Sequence, residues 1–153
     1  MAAAPARFDR MVPAAPDAVG ALRRQLGRWA REHGASPAAQ ANIALAFSEA
    51  ATTVVGPVPP DCAERGPLIL QAWVDGDELA VRVSHRSRGV PGPPADVGYG
   101  FGLALIAGVC ERFEVRRRED GPGTAMQMVF RLERPRAPAR SSLLQPSRST
   151  TRL

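Results

Sequence analysis

The stretch GYGFGLALIAGVC, Gly98 to Cys110, places three glycines at alternating positions directly before an apolar helical pattern. Such glycines form either a flexible turn before a helix or a cradle of backbone N–H groups for phosphate oxygens at the helix N-terminus. The apolar residues that follow recur at three- and four-residue steps, which predicts a helix with one buried face. The residues of that face are Leu103, Ile106, Ala107 and Cys110.

Length and cysteine usage limit the class of protein. A chain of 153 residues is suited to one domain with a substantial core. Cys62 and Cys110 have neither CxxC nor His-rich spacing nearby, which argues against a zinc site and a disulfide framework. There is no run of about 18 apolar residues and no signal-peptide pattern. These features together predict a cytoplasmic protein with no membrane segment.

The basic charge is concentrated at one end of the chain. Residues 133–153 contain five Arg and one Glu, so most of the formal net charge of +5 lies there. Their Pro/Ser/Arg composition predicts a disordered tail after a domain of residues 1–132, with weak contact to an acidic partner, RNA or a membrane as the alternative. The domain itself is nearly neutral and poor in aromatic residues, so nucleic-acid binding is the weaker interpretation.

The predicted elements are strands grouped in hairpins with helices between the groups. This order favours an α+β fold: a single-layer mixed or antiparallel sheet with its helices on one face. Prolines and glycines without periodicity predict a loop from Arg86 to Val97. The predicted strands run from Arg7 to Val12, Leu68 to Val74, Leu79 to Val83, Phe113 to Glu119 and Met126 to Leu132. The first two predicted helices run from Pro16 to His33 and from Pro37 to about Val55.

Glu49 is the only acidic residue within the second predicted helix. Thr53 follows four residues later, so the two side chains share one flank of that helix. A surface glutamate on an amphipathic helix is the alternative explanation, and periodicity alone favours it.

Four motifs in order make residues 8–132 resemble the GHKL-type ATP-binding fold, and specifically the bacterial anti-sigma regulatory serine kinases. The family's helix motif SEAxxN corresponds to Ser48 through Thr53, and its strand-end motif D-x-G-x-G corresponds to His85 through Gly89. Its GxGL motif matches Gly100 through Leu103, and its GT pair matches Gly123 and Thr124.

The resemblance implies a histidine kinase-like ATPase fold that binds ATP with Mg²⁺. Glu49 would be the catalytic base for a protein serine, and Thr124 would lie near the adenine edge. The remaining implied contacts to the nucleotide come from Gly89, Gly98, Gly100, Gly102 and Leu103.

Two motif positions depart from the family pattern. Thr53 stands where the family has the asparagine that ligates Mg²⁺, so it is the implied metal ligand here. His85 stands where the family has the aspartate that accepts the adenine amino proton, and Ser87 replaces the first glycine of the same motif. A neutral imidazole can accept that hydrogen bond, whereas a protonated one cannot.

The sequence therefore predicts an ATP-binding regulator of transcription, of the anti-sigma serine/threonine-protein kinase type, that acts on an anti-anti-sigma partner. The alternative is a nucleotide-free pseudokinase that sequesters a sigma factor or an anti-anti-sigma protein. The sequence does not decide between a monomer and a homodimer.

Overall fold

The structure is a computed structural model that describes residues 4–55, 66–85, 100–119, 121 and 123–132. The loop predicted from Arg86 to Val97 and the tail predicted over residues 133–153 lie outside these ranges. The elements are β1 (Arg7–Pro13), α1 (Pro16–Glu32), α2 (Pro37–Val55), β2 (Pro67–Asp75), β3 (Glu78–His85), α3 (Gly100–Val109), β4 (Arg112–Arg117) and β5 (Thr124–Arg131).

The strands form one five-stranded sheet in the order β1-β2-β3-β5-β4. Every neighbouring pair is antiparallel, with Leu70 opposite Val83 and Val81 opposite Met128 at its centre. Alternate strand residues, among them these four, are buried against the helices. The prediction of an α+β fold, a single sheet with its helices on one face, is confirmed.

The first two helices begin and end where the sequence signals indicate. The backbone N–H of Ala39 donates to Oγ of Ser36 at 3.1 Å, which caps α2, and Pro37 takes the first helical position. Gly34, at φ +98°, follows the end of α1. Phe47 of α2 is fully buried, and Trp29 of α1 packs against the same core.

The predicted buried face of α3 is wrong at one position. Ile106 is fully buried, while Leu103, Val109 and Cys110 pack against the core in part. Ala107 is exposed instead. At about 100° per residue, Val109 lies closer than Ala107 to the direction of Ile106 around the helix axis. In the sequence, either Ala107 or Val109 could belong to the apolar face of α3. In the structure, the face centred on Ile106, with Val109, packs against the core.

Among the helices of the described ranges, none combines the length and the apolar character needed to cross a membrane.

Candidate functional site

The start of α3 lies beside two polar side chains of α2. A Cβ atom placed on Gly102 would stand 3.4 Å from Oε2 of Glu49 and 3.5 Å from Oγ1 of Thr53. Both oxygens therefore lie next to the first turn of α3, where backbone N–H groups have no helical partner. The structure thus brings together three of the residues that the sequence singled out.

The hydroxyl of Thr53 is held in a fixed orientation. It donates a hydrogen bond to the backbone carbonyl of Glu49 at 2.8 Å, one helical turn earlier. Its hydrogen is committed to that bond, so the oxygen offers only lone pairs to anything else. The hydroxyl is therefore an acceptor, or a candidate ligand for a cation, rather than a donor.

The carboxylate of Glu49 is not neutralised by the described part of the chain. No Arg or His in the described ranges forms an ion pair with it. Those ranges also contain no cluster of three or more His, Cys, Asp or Glu side chains that could bind a metal ion unaided. Mg²⁺ commonly binds through one or two protein oxygens and completes its shell with phosphate oxygens and water. The oxygen of Thr53 fits that mode of binding, and the carboxylate of Glu49 stands beside it.

His85 ends β3 with its ring buried on the helix-covered side of the sheet, since it alternates with the buried Val81 and Val83. The residue is 9% exposed, and its Nε2 has no hydrogen-bond partner in the described ranges. Burial lowers the pKa of His85 and the charge of Arg118 lowers it further, whereas a backbone hydrogen bond with Gly66 opposes both. The net lowering favours the neutral ring at pH 7.

The buried Nε2 of His85 has no hydrogen-bond partner in the described ranges. In the neutral tautomer that carries its proton on Nδ1, Nε2 is a buried acceptor. An unpaired buried acceptor is costly, and an exocyclic amino group such as that of adenine would satisfy it.

Thr124 lies directly opposite His85 in the β3–β5 register and is partly exposed. Gly123, which precedes it, has φ +131°, and a Cβ there would overlap the carbonyl oxygen of His85. Glycine at this position is therefore required by the backbone itself. The remaining motif residues are placed as follows: Gly100 begins α3, Leu103 packs partly against the core, and Gly89 and Gly98 lie outside the described residues.

Sequence reasoning missed two groups that act on His85, namely Gly66 and Arg118. They precede β2 and follow β4, so only the folded sheet brings them to the end of β3. No sequence pattern indicates that Gly66 or Arg118 lies near His85.

Residues 12–130 match the family model described as the histidine kinase-like ATPase domain. The chain belongs to this family. The match covers α1 to α3 and the strands that carry His85 and Thr124, so the family prediction drawn from the motifs is confirmed.

Among solved structures, the chain resembles the crystal structure of the RsbU and RsbW domains of Rv1364c from Mycobacterium tuberculosis. The TM-score is 0.63 at 21% sequence identity, and the similarity covers 83% of this chain and 32% of that one. At this identity the likeness establishes the histidine kinase-like ATPase fold. No curated protein sequence matches the chain.

Proposed function

We propose that this histidine kinase-like ATPase domain binds ATP with Mg²⁺ and acts as an anti-sigma regulatory serine/threonine kinase on an anti-anti-sigma protein. The observation that carries the proposal is the meeting of Glu49, Thr53 and Gly102 where α3 begins. A carboxylate, a lone-pair oxygen and an unobstructed helix N-terminus are the groups that a magnesium-bound polyphosphate requires.

In this proposal, one set of residues binds the phosphates of the nucleotide and another set binds its adenine. Gly100 and Gly102 offer backbone N–H groups to the phosphates, and Thr53 offers its oxygen to the metal ion. At the other end, Nε2 of His85 accepts a hydrogen bond from the adenine amino group beside the hydroxyl of Thr124. The contacts expected from Gly89, Gly98 and Leu103 complete the set inferred from the motifs.

Glu49 is the proposed catalytic base. Its carboxylate has no cationic partner in the described ranges and stands beside the first turn of α3. It would take the proton of the substrate serine as that hydroxyl oxygen receives the phosphoryl group that ATP supplies.

The proposed partner is supported by the RsbW domain in the similar solved structure. Because the chain spans only 32% of that protein, the neighbour supports a regulatory partner of the same class rather than a specific one. A sigma factor or an anti-anti-sigma protein is the partner that fits this class.

A nucleotide-free binding module is the second candidate, and the two motif replacements favour it. Thr53 is shorter than asparagine, and a neutral His85 loses the charge-assisted bond that aspartate makes. If each replacement removes about 1 to 3 kcal/mol, the combined loss is about 2 to 6 kcal/mol. A loss of that size turns micromolar binding into roughly millimolar binding.

The test is a calorimetric titration of the full chain with Mg-ATP, repeated on the double variant Thr53→Asn, His85→Asp. We expect the double variant to bind at least about tenfold more tightly, because both family ligands return to a site whose glycines are intact. If neither protein binds at millimolar Mg-ATP while both fold normally, the ATP proposal fails and the binding module is favoured.

The catalytic role is tested separately. In the protein that binds ATP, Glu49→Gln should abolish phosphate transfer to a candidate anti-anti-sigma protein and leave Mg-ATP affinity within about threefold, because a general base acts on the chemical step. Retained transfer in this variant would contradict the assignment of Glu49 as the base.

A further inference from the structure

The sheet has a second face, which the three helices of the described ranges do not cover. Strand residues that alternate with the buried ones point toward it, among them Arg82 and Ser84 of β3 and Gln127 of β5. A groove of about 410 Å³ runs along this open face across four strands. Of its lining residues, only Arg118 also acts on the candidate nucleotide site, through the charge that it places near His85, so the groove requires its own explanation.

The groove is strongly basic. Its lining includes four arginines and a single carboxylate: Arg82, Arg116, Arg117, Arg118 and Glu119. The domain as a whole is nearly neutral, so this is a local concentration of positive charge rather than a reflection of composition. A concave surface of one sign attracts ligands of the opposite sign.

Two of these arginines are held in place by neighbours. The guanidinium of Arg82 donates to Oε1 of Gln127 from Nε at 3.3 Å and from Nη2 at 2.9 Å, and it lies 5.1 Å from the ring centroid of Trp73. Arg116 pairs with Glu114 at 2.7 Å. A guanidinium has five N–H donors, so these contacts orient each group and leave donors for a ligand.

The groove also has apolar surface. Ile69 and Ala125 line it, and Met11 stands opposite Ile69 in the β1–β2 register with 62% of its surface exposed. Ser84 also belongs to the lining and is only 5% exposed. Apolar side chains beside arginine and tryptophan are typical of the energetic centres of protein interfaces.

We propose that the open-face groove is a docking site for an acidic segment of a partner protein, whose carboxylates contact Arg82 and Arg116 while an apolar side chain packs on Ile69. A second copy of this chain is the poorer occupant, since two such grooves placed face to face would oppose like charges. A free phosphate would use the arginines and leave the apolar surface unused. The proposal does not depend on ATP binding, because Arg82, Arg116 and Ile69 are not residues of the candidate nucleotide site.

The test uses the full chain and a fluorescein-labelled peptide that repeats Glu-Leu-Glu-Ser, with a Gln-Leu-Gln-Ser peptide as the neutral control. Fluorescence anisotropy should detect binding of the acidic peptide alone, and its affinity should fall as salt rises. Arg116→Gln should weaken that affinity by about fivefold, the upper end for one exposed charge pair.

Arg112→Gln is the matched control. Arg112 lies on β4 four residues before Arg116, is 63% exposed against 56% for Arg116, and likewise pairs with a glutamate at 2.7 Å, yet it does not line the groove. This variant should leave the affinity for the acidic peptide unchanged. Equal losses in both arginine variants would overturn the proposal, because they would indicate diffuse attraction to a basic protein.

Three further results would also overturn it. One is equal binding of the neutral peptide, and another is displacement of the acidic peptide by millimolar inorganic phosphate at constant ionic strength, which would indicate a simple anion site. The third is a wild-type dimer in size-exclusion chromatography that Arg116→Gln alters and Arg112→Gln does not, which would assign the groove to a second copy.

Discussion

The two ends of the candidate nucleotide site contain glycines of very different kinds. At the α2–α3 end, a Cβ on Gly102 would meet Glu49 and Thr53 at ordinary contact distances. At the β3–β5 end, a Cβ on Gly123 would overlap the backbone of His85, and φ is already +131°. The fold requires a glycine at the second position and tolerates alanine at the first.

This difference separates structural from functional explanations of one sequence motif. A glycine that the backbone requires provides no independent support for a ligand, because the fold alone accounts for it. Gly102 meets no such backbone requirement in the described ranges, so its proposed role at the phosphates can be tested without disturbing the fold. Substitutions at the two positions therefore test this difference between the glycines.

The largest effect is expected from Gly123→Ala. The substitution adds a Cβ against the His85 carbonyl at a φ that side chains rarely adopt, which should cost on the order of 3 kcal/mol of unfolding free energy in urea titrations. Gly121→Ala is the control, since Gly121 has φ +149° with nothing within 4 Å of its added Cβ. It should lose only about 1 kcal/mol. Equal losses in both variants would mean that the overlap with His85 relaxes freely.

Gly102→Ala should affect ligand binding rather than folding. Alanine favours the helix by about 0.5 to 1 kcal/mol, so stability should hold or rise. Mg-ATP affinity should fall by about tenfold, because the methyl group occupies space beside Glu49 and Thr53. Gly108→Ala is the matched control on the same helix, with nothing within 4 Å of the new Cβ. Unchanged ATP affinity in Gly102→Ala would remove the functional explanation of this glycine.

His85 should make the β3–β5 end sensitive to pH. Because burial holds its pKa below the ordinary value of 6.5, the unfolded chain takes up the proton first as the pH falls. The contribution of His85 to stability is therefore complete above pH 6.5 and decreases below it. Urea titrations between pH 7.5 and about 5 should show this slope.

The variant His85→Gln should lose that part of the slope, whereas His33→Gln, which removes the other histidine, should keep it. Mg-ATP affinity should fall over the same pH range, since a protonated ring cannot accept the adenine hydrogen bond. Identical pH profiles for His85→Gln and the unmodified chain would contradict the assignment.

Local features of the fold were predictable, and features that depend on strand neighbours were not. Ser36 followed by Pro37 is a local signal for the start of α2, and Asp75 followed by Gly76 is a local signal for the tight turn between β2 and β3. The insertion of β5 between β3 and β4 had no local signal. Pairings between distant segments are set by packing of the whole sheet, which periodicity does not encode.

The residues of the candidate site also fall into a group that local sequence predicts and a group that only the fold brings together. Glu49 and Thr53 share a helix flank by spacing alone, and the motif order predicted that α3 belongs with them. The groups that shift the pKa of His85, and the arginines of the open-face groove, come from segments that are distant in the sequence. Such groups become neighbours only when the register is known, so the sequence could not predict them.

The smallest effect is expected at the predicted end of the domain. The backbone N–H of Leu132 donates to the carbonyl of Asp77 at 2.6 Å, and its side chain is buried in the core. Removing residues 133–153 should therefore shift the melting midpoint by no more than a few degrees, because their composition provides little to bury. In the full chain, Leu132→Ala should instead cost about 2 to 3 kcal/mol, the low end for a buried leucine at the margin of a core. A truncated protein that melts as early as Leu132→Ala would show that the tail docks on the domain. In that case the predicted end of the domain at Leu132 is wrong. The effects of the Gly102 and Gly123 substitutions would then have to be measured again in the protein without residues 133–153.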